Sequence, residues 1–347
     1  MTIKTDAVIV GAGPCGLFQV FELGLHGLSA HVVDSIGAPG GQCTELYPDK
    51  PIYDIPAIPV CTAEELVERL LKQIEPFSPG MHLGEEVVEV SGDGSGPFRV
   101  VTNAGTEFEC KTVIIAGGVG SFQPRKLRAS GADELEDKAV FYRVRDAAQF
   151  AGRDVLIAGG GDSALDWAVA LAGSARSVTL VHRRDEYRGA DATVAQAKAL
   201  QAAGKITMIE RAVIKNIDHE GGRITGVDVR VGDNTDYTMQ RLTPTDVLVF
   251  FGLAPKLGPI ANWGLSITRK TIDVDTEKFQ TSVPGIFAVG DINNYPGKKK
   301  LILSGFHEAA LAAVAAKAHI EPGKKVHLQY TTTSPIVQKR LGVSTES

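Results

Sequence analysis

Two stretches decide the fold: Ala7-Val8-Ile9-Val10-Gly11-Ala12-Gly13-Pro14-Cys15-Gly16, and later Asp154-Val155-Leu156-Ile157-Ala158-Gly159-Gly160-Gly161-Asp162-Ser163-Ala164. Each is an apolar run, a glycine cluster and the start of a helix-forming segment. That order predicts a βαβ unit whose glycines permit a tight turn and let backbone approach a pyrophosphate at the helix N-terminus. The two stretches differ in the residues that close their second strands. Asp34 closes Ala30-His31-Val32-Val33, near the ~20-residue spacing at which an acid meets a ribose hydroxyl. His182-Arg183-Arg184 closes Val178-Thr179-Leu180-Val181. Guanidinium groups fork onto phosphate oxygens, so this register selects a 2′-phosphate, as on NADP(H). Arg188 joins them if the loop folds back.

The composition is that of an ordinary globular protein, and its 347 residues suit two domains. No apolar run reaches the ~20 residues of a membrane span. Met1 to Asp6 leads straight into a strand, without room for a signal peptide, so a cytoplasmic protein is expected. Net charge is −5, which gives no global footprint for nucleic acid. From Ser282 onward eight basic residues face four acidic ones, a local +4 that leaves −9 for the rest of the chain. Such a basic end can steer an acidic partner, although solvated surface lysines are the plainer reading. The cysteines, at 15, 43, 61 and 110, form no Cys-x-x-Cys, hence neither an adjacent redox pair nor a zinc-ribbon spacing. Cys15 opens a helix, where the dipole favours thiolate; its small size beside a phosphate is the simpler reason for it.

Periodicity predicts strands at 6–10, 30–34, 86–90, 98–102, 107–110 and 112–118, the last ending in glycines, and helices from the first glycine turn to about Leu25 and from Thr62 to about Ile74. Glu65, three residues past Thr62, completes a capping box. The segment from Gly37 to Pro59 is too rich in turn-formers for regular structure. A second set comes later, with strands at 154–158, 177–181, 206–210, 224–231 and 246–252 and helices at 162–173 and 192–203. Gly290-Asp291 then ends an apolar strand, ahead of a helix near 306–318. The fold class is therefore α/β, with two Rossmann-like, three-layer ββα dinucleotide-binding domains. Residues 118–252 form one, inserted into the other, made of 1–117 and 253–347.

Together, Gly11-x-Gly13-Pro14-x-Gly16, Gly40-Gly41-Gln42, Gly159 to Ala164, His182-Arg183-Arg184 and Thr281 to Asp291 resemble the thioredoxin-reductase-like flavoproteins, in order over nearly the whole chain. That resemblance implies FAD on the outer domain and NADPH on the inserted one. Where thioredoxin reductases carry Cys-x-x-Cys, this chain reads Tyr142-Arg143-Val144-Arg145-Asp146, which excludes disulfide reduction by that route. Tyr47 to Pro56, Asn262-Trp263-Gly264-Leu265 and a tail bearing Tyr330 look instead like the ferredoxin–NADP⁺ reductases of this type. The implied partners are NADPH and ferredoxin or flavodoxin, in a homodimer. Tyr47 and Tyr330 would each cover one flavin face, with no acid or base residue expected. FAD contacts carried over by position are Cys15, Asp34, Gln42, Tyr47, Val87, Phe122, Asp291 and Thr332, beside Gly11, Gly13, Pro14, Gly16, Gly41 and Gly290. Val88 and Val90 offer alternative registers for Val87. The NADP set is Gly159, Gly160, Gly161, Asp162, Ser163, His182, Arg183, Arg184 and Arg188. The inserted domain is expected to swing on linkers near 117–121 and 250–254. The same two sites would also serve a diaphorase or quinone reductase without a protein partner, or a non-catalytic redox sensor.

Overall fold

The computed structural model describes residues 2–120, 123–144, 146–233, 235–254, 256–327 and 329–343, with the side chains at 123–124 and 253–254 outside the description. The chain divides into two compact units, Met1–Phe122 with Pro255–Ser347, and Gln123–Ala254.

The first unit opens with β1 (Ile3–Val10), α1 (Pro14–Leu25), β2 (Ala30–Asp34), α2 (Ala63–Ile74) and strands β3 (Gly80–Leu83), β4 (Val87–Ser91), β5 (Phe98–Thr102) and β6 (Glu107–Ile115). The Thr62 side chain accepts from the Glu65 amide and Glu65 accepts from the Thr62 amide, which is the expected capping box. The sheet order is β3-β2-β1-β6-β5-β4, with β1 parallel to both β2 and β6. Glu107 to Ile115 is one strand, not the two short ones expected, because β1 pairs along it from Phe108 to Ile115. Residues 107–110 pair antiparallel with β5, while 113–115 pair parallel with a strand from the returning chain. The Gly37–Pro59 segment is also more regular than expected, since Gln42–Leu46 winds one helical turn after Gly41.

Alternation along these strands builds a core on each side of the sheet. Ala7, Ile9, Val32 and Ile114 face the helices, whereas Val8, Val33, Val113 and Ile115 pack with Phe98, Val100 and Phe108.

In the second unit, β7 (Val140–Phe141), β8 (Asp154–Gly159), α3 (Asp162–Leu171), β9 (Ser177–Val181), α4 (Asp191–Ala202), β10 (Thr207–Ile209) and β14 (Asp246–Phe250) make a parallel sheet of order β7-β14-β8-β9-β10 and its helices. Between β10 and β14 lies an antiparallel layer of β11 (Ala212–Glu220), β12 (Arg223–Gly232) and β13 (Tyr237–Leu242). The periodicity reading gave β12 but not β11, whose last three residues are exposed, nor β13, which is exposed along nearly its whole length.

The chain then returns to the first unit with β15 (Ile286–Ala288), α5 (Ile302–Ile320) and α6 (Pro335–Arg340). Gly305, Ala309, Ala312, Ala313 and Ala316 are the buried small residues of α5, which packs on α1. The Gln19 side-chain amide donates to the Ala309 carbonyl, tying the two helices together.

Candidate functional site

The first glycine turn lies between the ends of β1 and α1. Gly11 adopts φ +115°, and a Cβ there would sit 2.5 Å from the Ala116 carbonyl oxygen. A Cβ on Gly16 would sit 1.9 Å from the Gly11 carbonyl oxygen. The protein itself therefore demands these two glycines. Gly13 is different, because a Cβ there would meet nothing within 4 Å. It faces open space at the mouth of α1, whose N-cap has no side-chain hydrogen bond and whose first turn carries no acid. An uncapped helix start with positive dipole and free amides suits a phosphate.

Around this turn is a cavity open to solvent. Gly11, Gly13, Pro14, Cys15, Asp34, Gly41, Gln42, Tyr47, Val87, Gly290 and Asp291 all line it. Of the residues expected at the first dinucleotide, Gly16 lies just behind the wall, where its role is close packing. Asp34 accepts from the Ala12 amide at 2.6 Å and from the Ile36 amide at 2.8 Å, so the acid that ends β2 also ties down the glycine turn. Burial pushes its pKa up, against those two amides. Val87 is buried and lines the cavity, whereas Val88 is 41% exposed and, like Val90, does not line it. The Tyr47 ring ends the helical turn Gln42–Leu46, and its hydroxyl lies 3.9 Å from Cys43 Sγ.

Cys15 is a packing thiol. A Cβ on Gly305 would lie 2.2 Å from its Sγ, and burial, with Asp291 and Glu308 nearby, pushes its pKa up to about 12. Phe122 lies outside the described residues.

The tail residues are not in this wall. Tyr330 is 65% exposed, Thr332 is exposed, and neither lines the cavity. Their segment leads into α6, which is held at the far end of α1 where the Arg340 guanidinium donates to the Leu25 carbonyl.

The second turn repeats the logic. A Cβ on Gly159 would lie 2.6 Å from the Phe250 carbonyl oxygen, and one on Gly160 would lie 2.2 Å from the His182 ring. Gly161, the N-cap of α3, again meets nothing within 4 Å. His182 is buried beneath the loop, with Nε2 3.1 Å from the Glu186 carbonyl oxygen, and burial above all lowers its pKa. It supports the loop from below. Asp162 accepts from the Ala190 amide, and Ser163 is exposed beside it in the first turn. The Arg188 amide donates to the Gly160 carbonyl, so the loop does fold back. Arg183, Arg184 and Arg188 are exposed, and among the described residues no carboxylate forms an ion pair with them. Asp185, the nearest acid in sequence, is paired with Arg211 at 2.8 Å.

Sequence reading missed a buried cluster behind Gly290. Glu308, on α5, is fully buried and surrounded by donors from Gly290, Asn293, Tyr295 and Lys298. Its signal is a lone acid on the same helical stripe as Ala312 and Ala316. Glu85, Glu86 and Lys300 were also not expected at the cavity.

Residues 5–318 match the pyridine nucleotide-disulphide oxidoreductase family. The chain belongs to this family. It is 57% identical over 343 residues to "Ferredoxin--NADP reductase 2" of Cupriavidus metallidurans, covering 99% of this chain and 92% of that protein. It is 58% identical to "Ferredoxin--NADP reductase" of Methylibium petroleiphilum, covering 99% and 94%. Among solved structures it resembles a T. acidophilum thioredoxin reductase, with 25% identity, a TM-score of 0.75 and coverage of 91% and 98%. The expected class of two α/β nucleotide-binding units is that of the family. Among the described residues no helix is long and apolar enough to cross a membrane, and no group of three or more side chains could hold a metal ion.

Proposed function

We propose that this chain is a ferredoxin–NADP reductase, with FAD at the first glycine turn and NADPH at the second. The observation that carries the reading is the contrast between two uncapped helix starts. One lies beside the half-buried acid Asp34, the other beside the guanidinium groups of Arg183 and Arg184, which form no ion pair among the described residues. FAD, when bound, supplies a centre that takes two electrons as hydride and releases them singly.

The chain's own residues bind and orient. Amides in the first turn of α1 face the pyrophosphate, with Gly13 leaving it room. Asp34 keeps acceptor capacity for a ribose hydroxyl, and Tyr47 offers a flat face for stacking. Gly161 and the start of α3 play the first role for NADPH, while Arg183, Arg184 and Arg188 receive the 2′-phosphate. No side chain has to give or take a proton in hydride transfer, so placement of the reacting atoms is the main catalytic contribution. The four cysteines all belong to the first unit, so a disulfide relay in the second unit has no sulfur to run on.

Ferredoxin or flavodoxin is the one-electron partner in this reading. The assembly is a homodimer in the cytoplasm, its second unit turning on the two chain crossings. Tyr330, exposed in its own chain, then covers a flavin only if a second copy brings it there. The test is NADPH-driven cytochrome c reduction with and without added ferredoxin. Strong, salt-sensitive dependence on ferredoxin is expected, and an equal rate without it overturns the protein partner.

A further inference from the structure

Gly290 sits where the strand β15 gives way to Asp291, and both of its backbone polar groups are held by one buried ion pair. Its amide donates to Glu308 Oε2 at 2.7 Å, and its carbonyl accepts from Lys298 Nζ at 2.9 Å. Lys298 and Glu308 contact each other, with side chains 7% and 0% exposed. The remaining capacity of the carboxylate is taken by Asn293 Nδ2 at 2.8 Å and Tyr295 Oη at 2.9 Å. Neither Glu308 nor Lys298 lines the cavity, although Gly290 and Asp291 do. Burying two charges is costly, and apolar residues of similar volume would stabilise this helix contact as well or better. Burial stability alone therefore does not account for the pair. What an apolar pair could not do is grip the amide and carbonyl of the same residue.

We infer that Glu308 and Lys298 are positioning residues that clamp Gly290 from both sides and so fix the Gly290–Asp291 edge of the flavin cavity. The inference rests on FAD being the ligand of that cavity. Gly290 has φ +78°, a conformation that glycine reaches without strain and that leaves its neighbouring peptides free to swing unless held. The same turn places Cys15 Sγ 3.1 Å from where a Gly290 Cβ would be, so it has no room for a side chain to do the holding. The grip has to come from outside the turn, and α5 supplies it.

Every partner of the Glu308 oxygens is a donor. In Glu308→Gln the new NH₂ must face either Gly290 and Asn293 or Tyr295 and Lys298, and the lysine loses its counter-charge. The double variant Lys298→Met/Glu308→Gln removes that conflict: the Gln carbonyl can accept from Gly290 while its NH₂ donates to the Tyr295 oxygen. The experiment strips flavin from wild type and both variants. It then titrates FAD by fluorescence quenching and records the thermal midpoint of each apoprotein and the NADPH KM of each FAD-saturated enzyme.

Glu308→Gln is expected to raise the FAD Kd at least tenfold with the NADPH KM unchanged, and the double variant, which also loses the Lys298 hold on the Gly290 carbonyl, to stay at least threefold above wild type. An FAD Kd within twofold of wild type in Glu308→Gln, whatever its thermal midpoint, overturns the clamp. If Glu308→Gln does not fold, Tyr295→Phe removes one donor and leaves the rest. A threefold or larger rise in its FAD Kd supports the clamp, and an unchanged Kd overturns it. Wild-type apoprotein that takes up no FAD would instead overturn the underlying reading of the cavity.

Discussion

At the scale of single residues, the glycines separate into those the fold needs and those a ligand needs. Gly16→Ala drives a methyl group to 1.9 Å from the Gly11 carbonyl oxygen, so the turn must open. Gly13→Ala meets no protein atom within 4 Å, and Gly13 has an ordinary φ of −69°. Gly16→Ala is therefore expected to lower the thermal midpoint of the apoprotein clearly. Gly13→Ala should leave that midpoint nearly unchanged and weaken FAD binding tenfold or more; equal FAD affinity would remove Gly13 from the phosphate cradle. The arginines allow a parallel test. Charge-assisted hydrogen bonds contribute ~1.5–3 kcal/mol each, so Arg183→Ala/Arg184→Ala should raise the NADPH KM by roughly tenfold or more. The NADH KM should hardly move, and an equal rise for both nucleotides would reject a 2′-phosphate role.

Element by element, legibility tracked locality. The βαβ units, the capping box at Thr62 and the register of Asp34 were readable because each depends on residues within one short window. Glu107 to Ile115 reads as two short strands in sequence because the pairing with β1 that makes it one is long-range. Strands β11 and β13 were lost because solvent covers much of their faces. Glu308 was invisible as a functional residue because its partners at 290, 293, 295 and 298 come together only when α5 packs behind β15. His182 was legible as a member of the motif but not as the support beneath Gly160.

Helix α1 carries a further test. Glu22 has no ion-pair or hydrogen-bond partner among the described residues, and burial pushes its pKa up to about 7 from an ordinary 4.5. The folded chain thus binds this proton more tightly than the unfolded one. Its contribution is full below pH 4.5 and is lost as pH rises toward 7. Glu22→Gln should raise the thermal midpoint at pH 8 and change it little at pH 4.5. A variant that stabilises equally at both would contradict a strained carboxylate.

Across the whole molecule, the tail poses the main question. Tyr330, Ile336 and Val343 are 65%, 55% and 56% exposed, a run of large apolar groups that a lone chain leaves in water. If a second copy covers them, sedimentation should give twice the 36.8 kDa of one chain. Tyr330→Ala should then change the rate of flavin reduction by NADPH while FAD content stays full. A monomer at micromolar concentration, with Tyr330→Ala reducing at the wild-type rate, would remove the tail from the reaction.

The most direct test of the two-nucleotide assignment is an anaerobic titration of the purified protein with NADPH and, separately, NADH, monitoring flavin absorbance. The expected result is a yellow protein that one equivalent of NADPH bleaches, with NADH far less effective. A colourless protein that takes up no FAD, or a flavin that both nucleotides reduce equally well, would contradict it.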